Sequence, residues 1–367
     1  MIIPEEEYLN YKEKSIQGRY VTNEKISAFF NNRASFIQED VLGESVEKRR
    51  VKSYTIGTGK HKILMWSQMH GNESTTTKAV LDLVNLLSEK NEIATHILET
   101  CTLKIIPILN PDGASAYTRV NANLIDLNRD AQNRTQPESV ILRKVYEDFK
   151  PDFCFNLHDQ RTIFNVGETD KPATVSFLSP AQDEERNVTS TRITAMQLIA
   201  AMNETLENFI PNQMGRYDDG FNANCIGDTF QMLNTPTILF ESGHTVGDYE
   251  REDTRKYMFY AILTAVVVIA KDQINKYTKE AYFNIPENNK LFFDILIKNA
   301  SEINQSFNGD IGILYVETLK DETIVFVPKI EKTGDLSNYF GHKTYNSLID
   351  NDLKLMKEEP FWKLLNG

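Results

Sequence analysis

The chain has 367 residues, 41% of them hydrophobic and 25% charged, with a net charge of −12. That length and balance fit a globular protein with one large domain, alone or with a small appendage. The negative charge argues against nucleic acid or an anionic membrane as the main partner.

Three widely spaced cysteines, Cys101, Cys154 and Cys225, form no CxxC pair and no even disulfide set. Cys101 and Cys154 lie in apolar runs and read as small buried hydrophobes. The acidic start, Met1 to Glu7, has no basic region followed by an apolar stretch, so no signal peptide is expected. The apolar segment Ala261–Ala270 is shorter than the roughly 20 residues of a membrane span and reads as a core helix. A cytoplasmic protein is the resulting expectation.

Residues 1–50 are polar and helix-prone and predict an N-terminal helical layer. Two strands follow between Arg50 and Gln68: an alternating Val51–Ile56, then the apolar run Ile63-Leu64-Met65-Trp66-Ser67-Gln68. This run ends at His70-Gly71-Asn72-Glu73, and Ser74–Lys90 reads as a helix. His70 and Glu73 are three positions apart on a strand-to-helix turn, which aims both side chains the same way. An imidazole nitrogen and a carboxylate oxygen so placed are two ready ligands for Zn²⁺, and a catalytic zinc wants a third.

The apolar strand from Thr102 ends in Asn110-Pro111-Asp112-Gly113, a turn by its residue chemistry. Strand–helix–strand alternation predicts a largely parallel sheet with helices on both faces. Tyr117–Asp130 is a polar loop, and Pro137–Phe149 a helix closed by Pro151. The buried strand Phe153–Leu157 ends at His158-Asp159-Gln160. Arg186–Leu206 is helical, Gly215–Phe221 a flexible surface loop, Thr237–Phe240 a strand ending at Glu241, and Arg251–Lys271 a long helix. Asn288–Ile303 reads as helical, the segments beginning at Ile311 and Glu322 as a hairpin across Lys320-Asp321, and Leu348–Leu365 as a polar helix. The catalytic domain is expected over residues 1–284, with a small α+β appendage over 285–367.

Three strand ends thus carry unusual residues: His70 with Glu73, His158, and Glu241. A fourth, at Asn110, leads into Arg119, Asn128 and Arg129. Their order, together with the Asn110-Pro-Asp-Gly113 and Asp126-Leu-Asn128-Arg129-Asp130 segments, resembles the zinc metallocarboxypeptidases (the funnelins) over residues from roughly 50 to 270. The resemblance implies a three-layer α/β/α sandwich with a mixed, largely parallel sheet of about eight strands. It implies one Zn²⁺ ion held by His70, Glu73 and His158, with Glu241 as general base and Arg119 beside the developing oxyanion. Arg129, helped by Asn128, would grip a terminal carboxylate. The substrate would be a peptide or a peptidoglycan fragment. A loop tyrosine closing over the substrate would be Tyr217, with Phe221 as the alternative occupant.

Departures from the family concern the surroundings. Arg161 is expected to pair with Asp159, and His244 to be structural. Gly227 and Asp228 lie about where the family has its specificity pocket, and Asp219 and Asp228 would favour a basic side chain. Two other activities share parts of the pattern. One is an N-acyl amino acid amidohydrolase of the aspartoacylase or succinylglutamate desuccinylase type; the other is a zinc-stabilised binding module without hydrolysis.

Overall fold

The computed structural model describes residues 3–33 and 35–365. Met1 and Ile2 of the acidic start lie outside the described residues. The N-terminal segment carries two short helices, α1 (Tyr8–Tyr11) and α2 (Asn23–Asn31). It then enters strands β1 (Gln38–Glu44), β2 (Arg50–Ile56) and β3 (His61–Trp66). Helices α3 (Thr75–Ser88) and α4 (Glu92–Thr100) precede β4 (Cys101–Ile106) and the short α5 (Pro111–Ala116). Helix α6 (Pro137–Phe149) leads to β5 (Phe153–Asp159), β6 (Asn165–Val166) and β7 (Val175–Leu178). Then come α7 (Ser190–Leu206), β8 (Met214–Arg216), α8 (Ile226–Met232), β9 (Thr237–Ser242) and α9 (Glu252–Ala270).

Eight strands form one mixed sheet in the order β1-β2-β4-β3-β5-β9-β7-β8. Its centre, β4-β3-β5-β9, is parallel, while β1, β2 and the β7–β9 pairing are antiparallel. Helices cover both faces, which is the expected three-layer arrangement. In β3 the alternation of a pleated strand sends Ile63 and Met65 to the core under α3, α7 and α9. Leu64 and Trp66 go to the opposite core under α6 and α8. Burial on both faces is why such strands read as continuous apolar runs. Helix α6 starts with Pro137 at its first turn and stops at Lys150 in the left-handed conformation, with Pro151 next.

Three expectations need correction. Residues 38–44 are not helical: they form β1, an antiparallel edge strand whose polar, mostly solvent-facing side chains hide its period. The Asn110–Gly113 segment is not a simple turn but the cap and first turn of α5. The Asn110 side chain accepts the Gly113 N–H at 2.8 Å, and Pro111 takes the first helical position. Asn288–Ile303 is strand rather than helix through most of its length: β10 (Asn288–Asn289) pairs with β6, and β11 (Phe292–Lys298) is almost wholly buried. Periodicity cannot separate a short strand buried on both faces from a buried helix.

With β12 (Asp310–Lys320), β13 (Thr323–Gly334) and β14 (Phe340–Asn346), β11 builds a second sheet ordered β13-β12-β11-β14. The β12–β13 hairpin turns at Asp321-Glu322, both in the left-handed region. Two short helices, α10 (Lys279–Phe283) and α11 (Asp350–Met356), precede and follow this sheet.

Candidate active site

The site sits at the C-terminal ends of β3, β5 and β9, where open α/β sheets collect their functional loops. Beyond β3, Gln68 adopts φ 42°, which a non-glycine residue rarely does. Its buried side chain is locked there: the amide donates to the Val21 and Gly71 carbonyls and its oxygen accepts from Thr77. The reversal swings His70 over the strand end. Gly71 then lies against the backbone of α5, where a Cβ would come within 1.9 Å of the Gly113 carbonyl carbon. Two glycines separated by 42 positions thus belong to one contact, which seats the turn.

The chain places His70, Glu73 and His158 together, all buried. Nδ1 of His70 lies 2.8 Å from Glu73 Oε1, and Nδ1 of His158 lies 2.8 Å from Glu73 Oε2. The two Nδ1 atoms are 3.0 Å apart. All three donor atoms fall within 4.8 Å of one another, the one such cluster among the described residues. Two imidazoles and a carboxylate are a known catalytic zinc donor set, so the residues present fit that ion. Behind His70, Asp126 Oδ1 accepts from Nε2 at 3.0 Å. This carboxylate–histidine pairing orients a ligand ring and raises its basicity. Sequence reasoning quoted Asp126 inside a motif without giving it this role.

Burial by itself would raise the Glu73 carboxyl, but the two imidazoles outweigh it and hold the group well below the usual carboxylate range. Glu241 behaves in the opposite way: burial, and then the negative charges of Glu73 and Asp159, push its carboxyl well above the usual value. It is the register partner of His158 on the neighbouring parallel strand, so both side chains leave the sheet on the same side. The backbone N–H of Asp159 donates to Glu73 at 3.1 Å, while the Asp159 carboxylate holds the start of α3 through Thr75.

Arg119 reaches into the cluster from its loop. Its guanidinium donates to His70 Nδ1 at 3.1 Å and to Glu73 at 3.3 Å, and is braced by Asp126 at 3.1 Å. A cavity of about 520 Å³ adjoins it, lined among others by Asn128, Arg129, Tyr217, Asp228 and Glu241. Arg129 is exposed and, among the described residues, has no carboxylate partner; it donates to the Asn128 carbonyl and lies 3.1 Å from the Cys225 sulfur. Asn128 is fixed by accepting the Ile226 N–H at 3.0 Å. Tyr217 follows β8 and tilts against Phe164 at 5.2 Å. Burial and the nearby Glu241 and Glu73 raise its hydroxyl, so it stays protonated. Phe221 is not among the residues that line this cavity.

Other expectations change here. Arg161 does not pair with Asp159: among the described residues it has no ion-pair or hydrogen-bond partner, and Asp159 is engaged by Thr75 and by Arg19 at 3.8 Å. Asp219 is neutralised by Arg192 at 2.6 Å and stands outside the cavity. Asp228 does line it, with a carboxyl that burial pushes up to about 7. His244 is buried away from the site, 4.4 Å from the His342 ring.

Residues 23–214 match the family model described as zinc carboxypeptidase. The probable carboxypeptidase 2 of Arthroderma benhamiae is 28% identical over 114 residues, covering 30% of this chain and 21% of that protein. The carboxypeptidase SOL1 of Arabidopsis thaliana is 33% identical over 110 residues, covering 26% and 22%. The match therefore spans about a fifth of the length of these curated relatives. Among solved structures, a metallo-carboxypeptidase from Burkholderia cenocepacia superposes with a TM-score of 0.55 at 19% identity, covering 69% of this chain and 70% of that one. Carboxypeptidase A from Helicoverpa armigera gives 0.51 at 13%, covering 74% and 79%. At such identities these two likenesses concern the fold.

Proposed function

The chain belongs to the zinc carboxypeptidase family, and from that premise we propose that it is a zinc-dependent exopeptidase that removes the C-terminal residue of a peptide. The observation that carries this reading is the convergence of His70, Glu73, His158, Glu241, Arg119 and Arg129 on one cavity.

His70, Glu73 and His158 would hold the ion. A bound Zn²⁺ supplies Lewis acidity, acidifying water and polarising a carbonyl. Glu241 takes the proton of the attacking water and returns it to the leaving amine, a role suited by a carboxyl whose burial raises its proton affinity above the usual value. Arg119, charged and already aimed at the ligand cluster, stabilises the developing oxyanion. Arg129 and Asn128, on the side of the cavity walled by Cys225 and Asp228, grip the terminal carboxylate. Tyr217 closes over the terminal residue and donates from a hydroxyl that stays protonated.

Substitution of Glu241 by Gln is the direct test. Turnover of a short peptide with a free C-terminus falls by about 10²–10⁴-fold, while zinc content by elemental analysis stays at one per chain. Full turnover in that variant, or equal turnover of a C-terminally amidated peptide by the parent protein, would count against the reading.

A further inference from the structure

A second cavity, of about 370 Å³, adjoins the first beside Glu73 and Arg119. It shares Glu73, Arg119, Asp159, Gln160 and Arg161 with the first. Its far wall comes from the C-terminal sheet, through Asp294, Tyr315, Glu317 and Phe326. If Arg129 holds the terminal carboxylate in the first cavity, the chain on the acyl side of the scissile bond must leave through the second. The inference therefore rests on the carboxypeptidase reading for the direction of the peptide.

The charges lining this second cavity are not evenly partnered. Each carboxylate is engaged. Glu317 pairs with Arg19 at 3.2 Å and accepts from Tyr117. Asp294 accepts from Tyr249 at 3.1 Å and from the Tyr315 N–H at 2.8 Å. Asp159 is held by Thr75, and Glu73 by the imidazoles. The cations differ. Arg251 is buried with only backbone carbonyls around its guanidinium, those of Ser242 at 2.9 Å, Gln160 at 3.0 Å and Gly243. Arg161 is exposed and, among the described residues, has no partner at all. It stands where the two cavities meet, three residues after His158. At this junction Arg161 is, among the described residues, a cation without an ion-pair partner, so its guanidinium is free to meet a carboxylate brought by the substrate.

We propose that Arg161 recognises a carboxylate on the acyl side of the scissile bond, so that the preferred substrates are acidic peptides with Glu or Asp next to the residue removed. A guanidinium offers a planar fork matched to a carboxylate, and a side chain with no partner gives up no existing bond to make that contact. The neighbouring Arg251 adds a fixed positive charge in the wall.

The test uses two N-acylated dipeptides with the same C-terminal residue, one with Glu and one with the isosteric Gln before it. The zinc-loaded protein is expected to show a kcat/KM for the Glu peptide about tenfold or more above that for the Gln peptide. Arg161→Gln brings the ratio near one, Arg161→Lys leaves part of it, and Arg161→Glu inverts it. A parent ratio of one or below, or a ratio unmoved by Arg161→Gln, overturns the proposal.

Calorimetric binding of the same two peptides to zinc-loaded Glu241→Gln protein, with and without Arg161→Gln, reads the preference independently of turnover. If the parent hydrolyses neither peptide, the carboxypeptidase reading fails. The binding preference for Glu, lost only in the double variant, then still supports the role of Arg161, and its absence refutes it.

Discussion

Two pairs of histidines lie in contact in this molecule, and they have different fates. His70 and His158 have ring centroids 4.6 Å apart; His244 and His342 are 4.4 Å apart. The first pair is bridged by Glu73 and backed by Asp126. The second is packed among rings, with Phe292 stacked on His342 and Tyr249 against His244. Among the described residues the one polar partner there is the Thr162 carbonyl, 2.8 Å from His342 Nε2, and both nitrogens of His244 are buried without any. Imidazole proximity alone does not make a cation site. The bridging carboxylate does, because it supplies negative charge and fixes both rings with their nitrogens turned to one point. The second pair, with no carboxylate to favour its charged form, answers to protons instead.

The largest effect expected from this contrast is metal removal. Dialysis against a chelator takes turnover to background, and added Zn²⁺ restores it.

A buried carboxylate elsewhere in the core, Asp82, sharpens the comparison. Asp82 on α3 accepts from Arg255 at 2.6 and 2.7 Å and from the Tyr8 hydroxyl at 2.8 Å, a closed group with every charge met. Asp82→Ala leaves Glu252, at 3.2 Å, as the one carboxylate beside Arg255 among the described residues and costs about 3 kcal/mol in urea unfolding. The refolded fraction keeps its zinc stoichiometry.

Asp126→Asn tests the support behind His70. Zinc affinity, by competition with a chromophoric chelator, drops about 10- to 100-fold with little change in folding stability.

The smallest effect is acid destabilisation at the second pair. Burial, helped by Arg251, pushes His342 down to about 4, and His244 is likewise well below its usual value. Both are neutral in the folded chain, while the unfolded imidazoles titrate near 6.5. As pH falls through 6.5 the unfolded state takes up protons first. Stability is therefore full above that pH and is lost progressively toward about 4. For His342 the loss between pH 7 and 5 is about 1–2 kcal/mol, read as a shift in urea midpoint. His342→Gln flattens that dependence.

Among the described residues no helix is long and apolar enough to cross a membrane, and α9, with almost every residue buried, is the core helix expected from its apolar run. The central strands β3, β5 and β9 and helix α6 follow from apolar runs, Pro and strand-end polar residues, because burial on both sheet faces forces those runs whatever the partners are. The His-Glu-His cluster was legible for a related reason: His70 and Glu73 share one turn, and His158 closes the neighbouring strand of the same sheet.

Strand β11 escaped because Phe292–Lys298 is buried on both sides and carries no period. β1 escaped because an edge strand facing solvent has little apolar period to show. The pairing of Arg161 was misjudged for another reason. Asp159 lies two positions away, but the carboxylate turns inward to Thr75 and Arg19, so sequence proximity did not become contact. The sequence by itself determined a layered sheet with a His-Glu-His cluster and a second glutamate at its strand ends, since local chain geometry and burial dictate those. Only the tertiary structure decided which charges stay unpartnered and that the C-terminal sheet walls the second cavity, because both depend on where distant side chains find their counter-charges.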